Sequence, residues 1–89
     1  MARTEVTVVN KLGLHARPSA KVTQLASKFE SEVWMSKGAR RINAKSIMGV
    51  MMLAAARGST LVIEADGPDG QAAVDALAGL VAAGFGEEI

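Results

Sequence analysis

The chain has 89 residues, 49% of them hydrophobic and 21% charged, which suits one folded domain over 1–89 and is too apolar for a disordered tail. A net charge of +1 and aromatic residues limited to Phe29, Trp34 and Phe85 argue against a nucleic-acid partner, which calls for a denser basic patch and stacking platforms. With no cysteine, one histidine, no signal-like N-terminus and no apolar run of membrane-spanning length, the expectation is a cytoplasmic, cofactor-free protein without a metal site or membrane insertion.

Thr4 to Val9 reads as a strand, with Val6 and Val8 on one face and Glu5 and Thr7 on the other. Asn10 to Gly13 breaks it. Val22, Leu25, Ala26 and Phe29 then fall at i, i+3, i+4 and i+7, the stripe of an amphipathic helix. Pro18 sits in its first turn, where a missing N–H costs nothing, so His15 or Ala16 is the N-cap. Glu32 to Ser36 alternates again, with Val33 and Met35 inward and Trp34 outward, and turns at Lys37-Gly38 into a return strand, Arg40 to Asn43.

Ser46 opens a second, shorter helix running toward Ala55, with Gly58 after Arg57 reading as its stop signal. Thr60 to Ala65 forms a fourth strand with Leu61, Ile63 and Ala65 on one face. Gly67-Pro68-Asp69-Gly70 turns into a last helix striped by Val74, Leu77 and Val81, with Ala73 and Leu80 alongside. Gly79 inside that helix implies close packing, and Gly84 reads as a left-handed cap. The order is β-α-β-β-α-β-α, with one apolar face per strand. That predicts an α+β open-faced β-sandwich: a four-stranded antiparallel sheet, three helices on one face, and Trp34 and Val62 partly exposed on the other.

The chemistry concentrates between Asn10 and Pro18. A helix start presents backbone N–H groups without intrahelical partners at the positive end of the helix dipole, which suits an anion such as phosphate. Arg17 adds a fixed charge and a donor fork. This positive field disfavours the imidazolium, so His15 is expected neutral, with a nitrogen lone pair able to attack phosphorus. Gly13 lets the loop bend sharply into the helix.

Asn-x-x-Gly-Leu-His-Ala-Arg-Pro at 10–18 resembles the active-site signature of HPr, the histidine phosphocarrier family of the bacterial phosphotransferase system. Lys-Ser-Ile-Met-Gly-Val-Met-Met-Leu at 45–53 is similar to that family's second signature, and Ala-Arg-Gly-Ser at 56–59 also fits. The resemblance implies that His15 takes a phosphoryl group on Nδ1 from phospho-Enzyme I and hands it to IIA domains. Arg17 and the backbone N–H groups of Ala16 and Arg17 would steady the group. It further implies that Ser46, which also reads as a plain N-cap, is phosphorylated by an HPr kinase/phosphorylase in species that have one. The same resemblance implies regulatory proteins as further partners, and a monomer is expected.

Ile47, Met48, Met51 and Met52 give the Ser46 helix more soft apolar side chains than its core face can use. Val50 and Leu53 are expected inside, and Ile47, Met48 and Met51 exposed as an adaptable docking patch, completed by Leu14, Ala20 and Gln24. Ala54 stands where many relatives have glycine, and Met52 where a small polar residue is frequent. The Gly84-Phe85-Gly86-Glu87-Glu88 tail is similar to the nitrogen-related branch. Two other readings stay open. One is a mainly regulatory HPr-like protein acting through Ser46 or nitrogen-branch signalling. The other is a free-standing enzyme built on His15, weakened because the sequence places no second acid or base beside it and no evident pocket-forming loop.

Overall fold

A computed structural model describes residues 1–87; Glu88, part of the tail resemblance above, lies outside them. Strands β1 (Ala2–Thr7), β2 (Glu32–Lys37), β3 (Arg40–Asn43) and β4 (Thr60–Asp66) form one sheet in the order β1-β4-β2-β3. Every neighbouring pair is antiparallel. Helices α1 (Ala16–Ala26), α2 (Ile47–Met52) and α3 (Gly70–Ala82) cover one face, and a short 3-10 turn, Gly84–Gly86, follows α3. This is the α+β open-faced sandwich expected from the strand patterning.

The central strands show why the layers form. Val33 and Met35 of β2 and Leu61, Ile63 and Ala65 of β4 are fully buried, and in register Met35 faces Ile63 while Trp34 faces Glu64. Alternate residues therefore meet the helices, which return Val22, Ala26, Val50, Ala73, Val74, Leu77 and Val81 to the same core. On the open face Trp34 and Val62 are half-buried, and the Arg41 guanidinium lies 4.2 Å from the Trp34 ring centroid. Arg41 also pairs with Glu64 at 3.3 Å, so these groups shield an indole that would otherwise face water.

Several boundaries differ from the sequence reading. The first strand starts at Ala2 and ends at Thr7; Val8 lies beyond it, buried, exchanging hydrogen bonds with the segment before β4 through Ser59 O and Gly58 N–H. Helix α1 stops at Ala26, leaving Phe29 packed on the core from the following turn. Helix α2 ends at Met52, not near Ala55. Its left-handed terminal residue is Ala54, at φ 48°, and Gly58 belongs to the connection into β4.

Gly79 is exposed, and a Cβ there would meet nothing within 4 Å, so close packing does not explain it. Gly84 does adopt the left-handed conformation, at φ 68°.

The basic stretch from Lys37 to Lys45 has a structural use. Arg40 Nη1 donates to Met52 O at 2.8 Å and Lys37 Nζ to Ala54 O at 3.3 Å, so the β2–β3 hairpin supplies cations to the carbonyl end of α2. Lys45 Nζ similarly donates to Phe29 O at 2.8 Å. These contacts, with the Ser46 cap at the other end, hold a helix too short to persist alone.

Candidate functional site

His15 is the N-cap of α1, with extended backbone (φ −83°, ψ −168°) and no capping bond from its own side chain among the described residues. Its imidazole therefore does not cap the helix. Ser19 N–H donates to His15 O at 3.0 Å, and Pro18, buried in the first turn, has no N–H to offer. Among the described residues the amides of Ala16 and Arg17, the two groups that the family resemblance implies, have no backbone acceptor. No acidic residue lies in that first turn, and the Arg17 side chain is exposed beside it.

The approach to the helix is rigid. Gly13 has φ +67°, and a Cβ on it would stand 2.4 Å from Ala55 O, so only glycine fits. Leu14 N–H donates to that same Ala55 O at 2.9 Å, which ties the His15 loop to the segment after α2. Asn10 is fully buried, donating through Nδ2 to Gly13 O at 2.9 Å while its backbone carbonyl accepts from Gly13 N–H at 3.2 Å. The histidine therefore projects from a loop pinned at both ends.

Sequence reasoning did not find Glu87. Its Oε1 lies 3.0 Å from His15 Nε2 and accepts from Asn10 Nδ2 at 3.1 Å. The hydrogen bond to His15, with a smaller contribution from Asn10, holds the Glu87 carboxyl below the usual glutamate range against the opposing effect of partial burial. A carboxylate can only accept, so the hydrogen-bond network assigns a proton to Nε2. In the neutral ring that leaves Nδ1 with the lone pair. The surroundings of His15 are therefore not purely cationic, as the sequence implied, and an acid/base group does sit beside it.

The tail reaches this position because Phe85 is buried and anchors it. Lys21 Nζ donates to Phe85 O at 2.6 Å, and Phe85 itself takes a left-handed φ of 58°. A shallow pocket of about 510 Å³ opens beside the site, lined by Lys11, Leu12, Arg17, Lys21, Gly86 and Glu87. It is an open surface depression of mainly cationic character. Among the described residues no cluster of acidic, histidine or cysteine side chains could hold a metal, and no helix is long and apolar enough to cross a membrane.

Ser46 is half-buried at the N-cap of α2, and its Oγ accepts from Gly49 N–H at 3.1 Å. Helix α2 packs against α1, and its outer side exposes Ile47 (40%), Met48 (68%), Met51 (41%) and Met52 (57%). Val50 and Leu53 are buried, as their spacing implied. Leu12, 72% exposed, also carries apolar surface on the His15 loop; neither it nor Met52 was in the expected patch.

Gln24 is exposed and Ala20 half-buried on α1, but Leu14 is core. It is 5% exposed because the Ala55 hydrogen bond draws its backbone inward, and its side chain joins the buried cluster. Leu14 is therefore removed from the expected docking surface.

A half-exposed histidine at a helix start with free amides, backed by an arginine and beside an open depression, defines a small α+β protein suited to holding an anionic group in transit. The family profile described as the PTS HPr component phosphorylation site matches residues 2–83.

Phosphocarrier protein HPr of Cupriavidus necator is 61% identical over 87 residues, 98% of each chain. Phosphocarrier protein NPr of Shewanella violacea is 42% identical over 83 residues, 93% of this chain and 91% of the other. The crystal structure of HPr-C-His from Thermoanaerobacter tengcongensis superposes with a TM-score of 0.95 at 44% identity, covering 100% of both chains. The chain belongs to the HPr family of the phosphotransferase system and is a phosphocarrier, closer to the HPr relative than to the NPr one.

Proposed function

We propose that His15 is the carrier residue, phosphorylated on Nδ1 by phospho-Enzyme I and discharged to IIA domains. The observation that carries this reading is the pairing of His15 Nε2 with Glu87 at 3.0 Å, which leaves Nδ1 as the nucleophilic nitrogen at the start of α1. The Nδ1 lone pair attacks phosphorus as the bond to the donor breaks. The arriving oxygens then meet the amides of Ala16 and Arg17 and the Arg17 guanidinium. Ile47, Met48 and Met51, with Ala20 and Gln24, form the surface that both partners use, extended by Met52 and Leu12.

The chain works as one domain, in the cytoplasm, as a co-substrate without turnover of its own. A monomer is supported by charged residues on both edge strands, Arg3 and Glu5 on β1 and Arg40 and Arg41 on β3, which discourage edge pairing.

The test is incubation with Enzyme I and phosphoenolpyruvate followed by intact mass. A hydroxide-stable, acid-labile phosphoryl adduct that is absent in His15→Ala supports the carrier role; an adduct retained by His15→Ala refutes it.

Ser46 supports a second, regulatory reading. Its hydroxyl already sits where phosphate would meet the first amides of α2, next to exposed Ile47 and Met48. Added negative charge there would weaken docking without refolding the helix. Treatment with ATP and an HPr kinase/phosphorylase should modify Ser46 and slow acceptance from Enzyme I. Unmodified serine under those conditions leaves it a cap alone.

A further inference from the structure

The chain has five methionines, and the fold sorts them sharply. Met35 is fully buried between sheet and helices, and Met1 is 72% exposed at the start of β1. Met48, Met51 and Met52 stand together on one short helix at 68%, 41% and 57% exposure. Thioether oxidation follows accessibility, so the three α2 sulfurs are open to reagent while Met35 is not. With Ile47 they make the exposed apolar side of α2, the helix that packs against α1.

We propose that α2 is an oxidation-sensitive modification site. Two-electron oxygen-transfer oxidants, such as hydrogen peroxide, convert Met48, Met51 and Met52 to sulfoxides and so slow phosphoryl transfer through His15. The inference rests on the docking role given above to this helix. In the reaction a sulfur lone pair attacks a peroxide oxygen. The S–O bond forms as the O–O bond breaks, sulfur loses two electrons, and the second oxygen leaves as water after proton transfer. Each sulfoxide replaces a soft apolar contact with a polar S=O group, which must be desolvated whenever a partner covers it.

The fold lets this happen without unfolding. Helix α2 is held from its inner side by Val50 and Leu53, at its start by the Ser46 cap and at its end by Arg40 and Lys37. None of these groups is a thioether. The surface therefore changes character on an intact scaffold, and reduction of the sulfoxides restores it.

The experiment treats the full chain with hydrogen peroxide, maps oxygen addition by peptide mass, and measures Enzyme I kinetics with the treated chain as phosphoryl acceptor. Oxidation at Met48, Met51, Met52 and Met1 but not Met35 is expected, with an unchanged thermal transition. The KM for the chain should rise by roughly tenfold and return on treatment with the two epimer-specific methionine sulfoxide reductases.

The variant Met48→Leu/Met51→Leu/Met52→Leu sets its own baseline, and peroxide should not move that baseline although Met1 still oxidises. Unaltered kinetics after full oxidation of the three methionines would overturn the inference, as would an equal loss in the triple variant. Met48→Glu, assayed without oxidant, isolates the underlying reading: a raised KM supports docking through α2, and an unchanged KM removes it.

Discussion

Glu87 and His15 set the chemistry at the scale of single residues. The carboxylate fixes which ring nitrogen carries the proton, and Asn10 and the buried Phe85 fix the carboxylate. In Glu87→Gln the amide can present either an acceptor or a donor to Nε2, so the Nδ1–H tautomer becomes populated. Ring ¹⁵N spectra should show that mixture. The kcat/KM for phosphoryl acceptance should fall by about tenfold, the rate equivalent of one ordinary hydrogen bond. Wild-type Nδ1–H occupancy equal to that of the variant would contradict the assignment.

Because the Glu87 carboxyl is held below its ordinary range, its contribution to stability is present above the unfolded glutamate value of ~4.3 and is lost as pH falls through the lower folded value. The contact to His15 should therefore persist somewhat below that ordinary value.

His15, Arg17 and the amides of Ala16 and Arg17 could be grouped from the sequence because a helix start is a local object and all its parts lie within a few residues. Glu87 was not, since it stands 72 residues from His15 and meets it only after the tail folds back. The available signal was Gly84-Phe85-Gly86, two flexible residues around one large apolar anchor, a pattern suited to a fixed return of the chain. Leu14 was misplaced for a related reason. Periodicity cannot say which way a loop residue points, and its burial follows from a hydrogen bond to Ala55 across the fold.

At the scale of elements, the sheet faces and helix stripes followed their periods, and the misreadings cluster at ends. Helix α2 stops because Ala54 takes φ 48°, a conformation costly for a residue with a Cβ, while the downstream Gly58 belongs to a separate loop. Ala54→Gly should stabilise the protein by about 1 kcal/mol, as relief of left-handed strain outweighs the greater entropy of the unfolded chain. In α3 the opposite change applies. Gly79 is solvent-facing with room for a Cβ, so Gly79→Ala should add about 0.5–1 kcal/mol. Urea unfolding checks both, and a loss of stability in either would contradict the corresponding backbone assignment.

Asp69 links elements in a pH-dependent way. Its carboxylate, at the start of α3, accepts from Ser31 Oγ and from the N–H groups of Glu30 and Ser31, which close the connection between α1 and β2. These bonds, the Ser31 hydroxyl first, lower its pKa to about 2. Its folded value lies below its unfolded value, so the clamp contributes fully above the ordinary aspartate range and is lost between about pH 4 and pH 2. Wild type should lose stability over that window, and Asp69→Asn should lose less there while starting from a lower plateau. Parallel acid profiles for the two proteins would rule out the clamp.

The whole molecule combines a rigid sheet-backed core with a chemically active rim. The pinned His15 loop, the anchored tail and the short α2 helix meet there, joined by the Leu14–Ala55 backbone bond and by the side-chain bonds of Asn10, His15 and Lys21 to the tail. That arrangement suits a protein that presents the same nucleophile to successive partners without enclosing any substrate. The most direct measurement is a pulse–chase through both half-reactions, with labelled phosphoenolpyruvate, catalytic Enzyme I, this chain and then an excess of a IIA domain. The expected result is label that appears on His15, remains through the pulse, and moves to the IIA domain in step with its loss from this chain. Label that never reaches His15, or that reaches it and leaves only by hydrolysis, would contradict the carrier role.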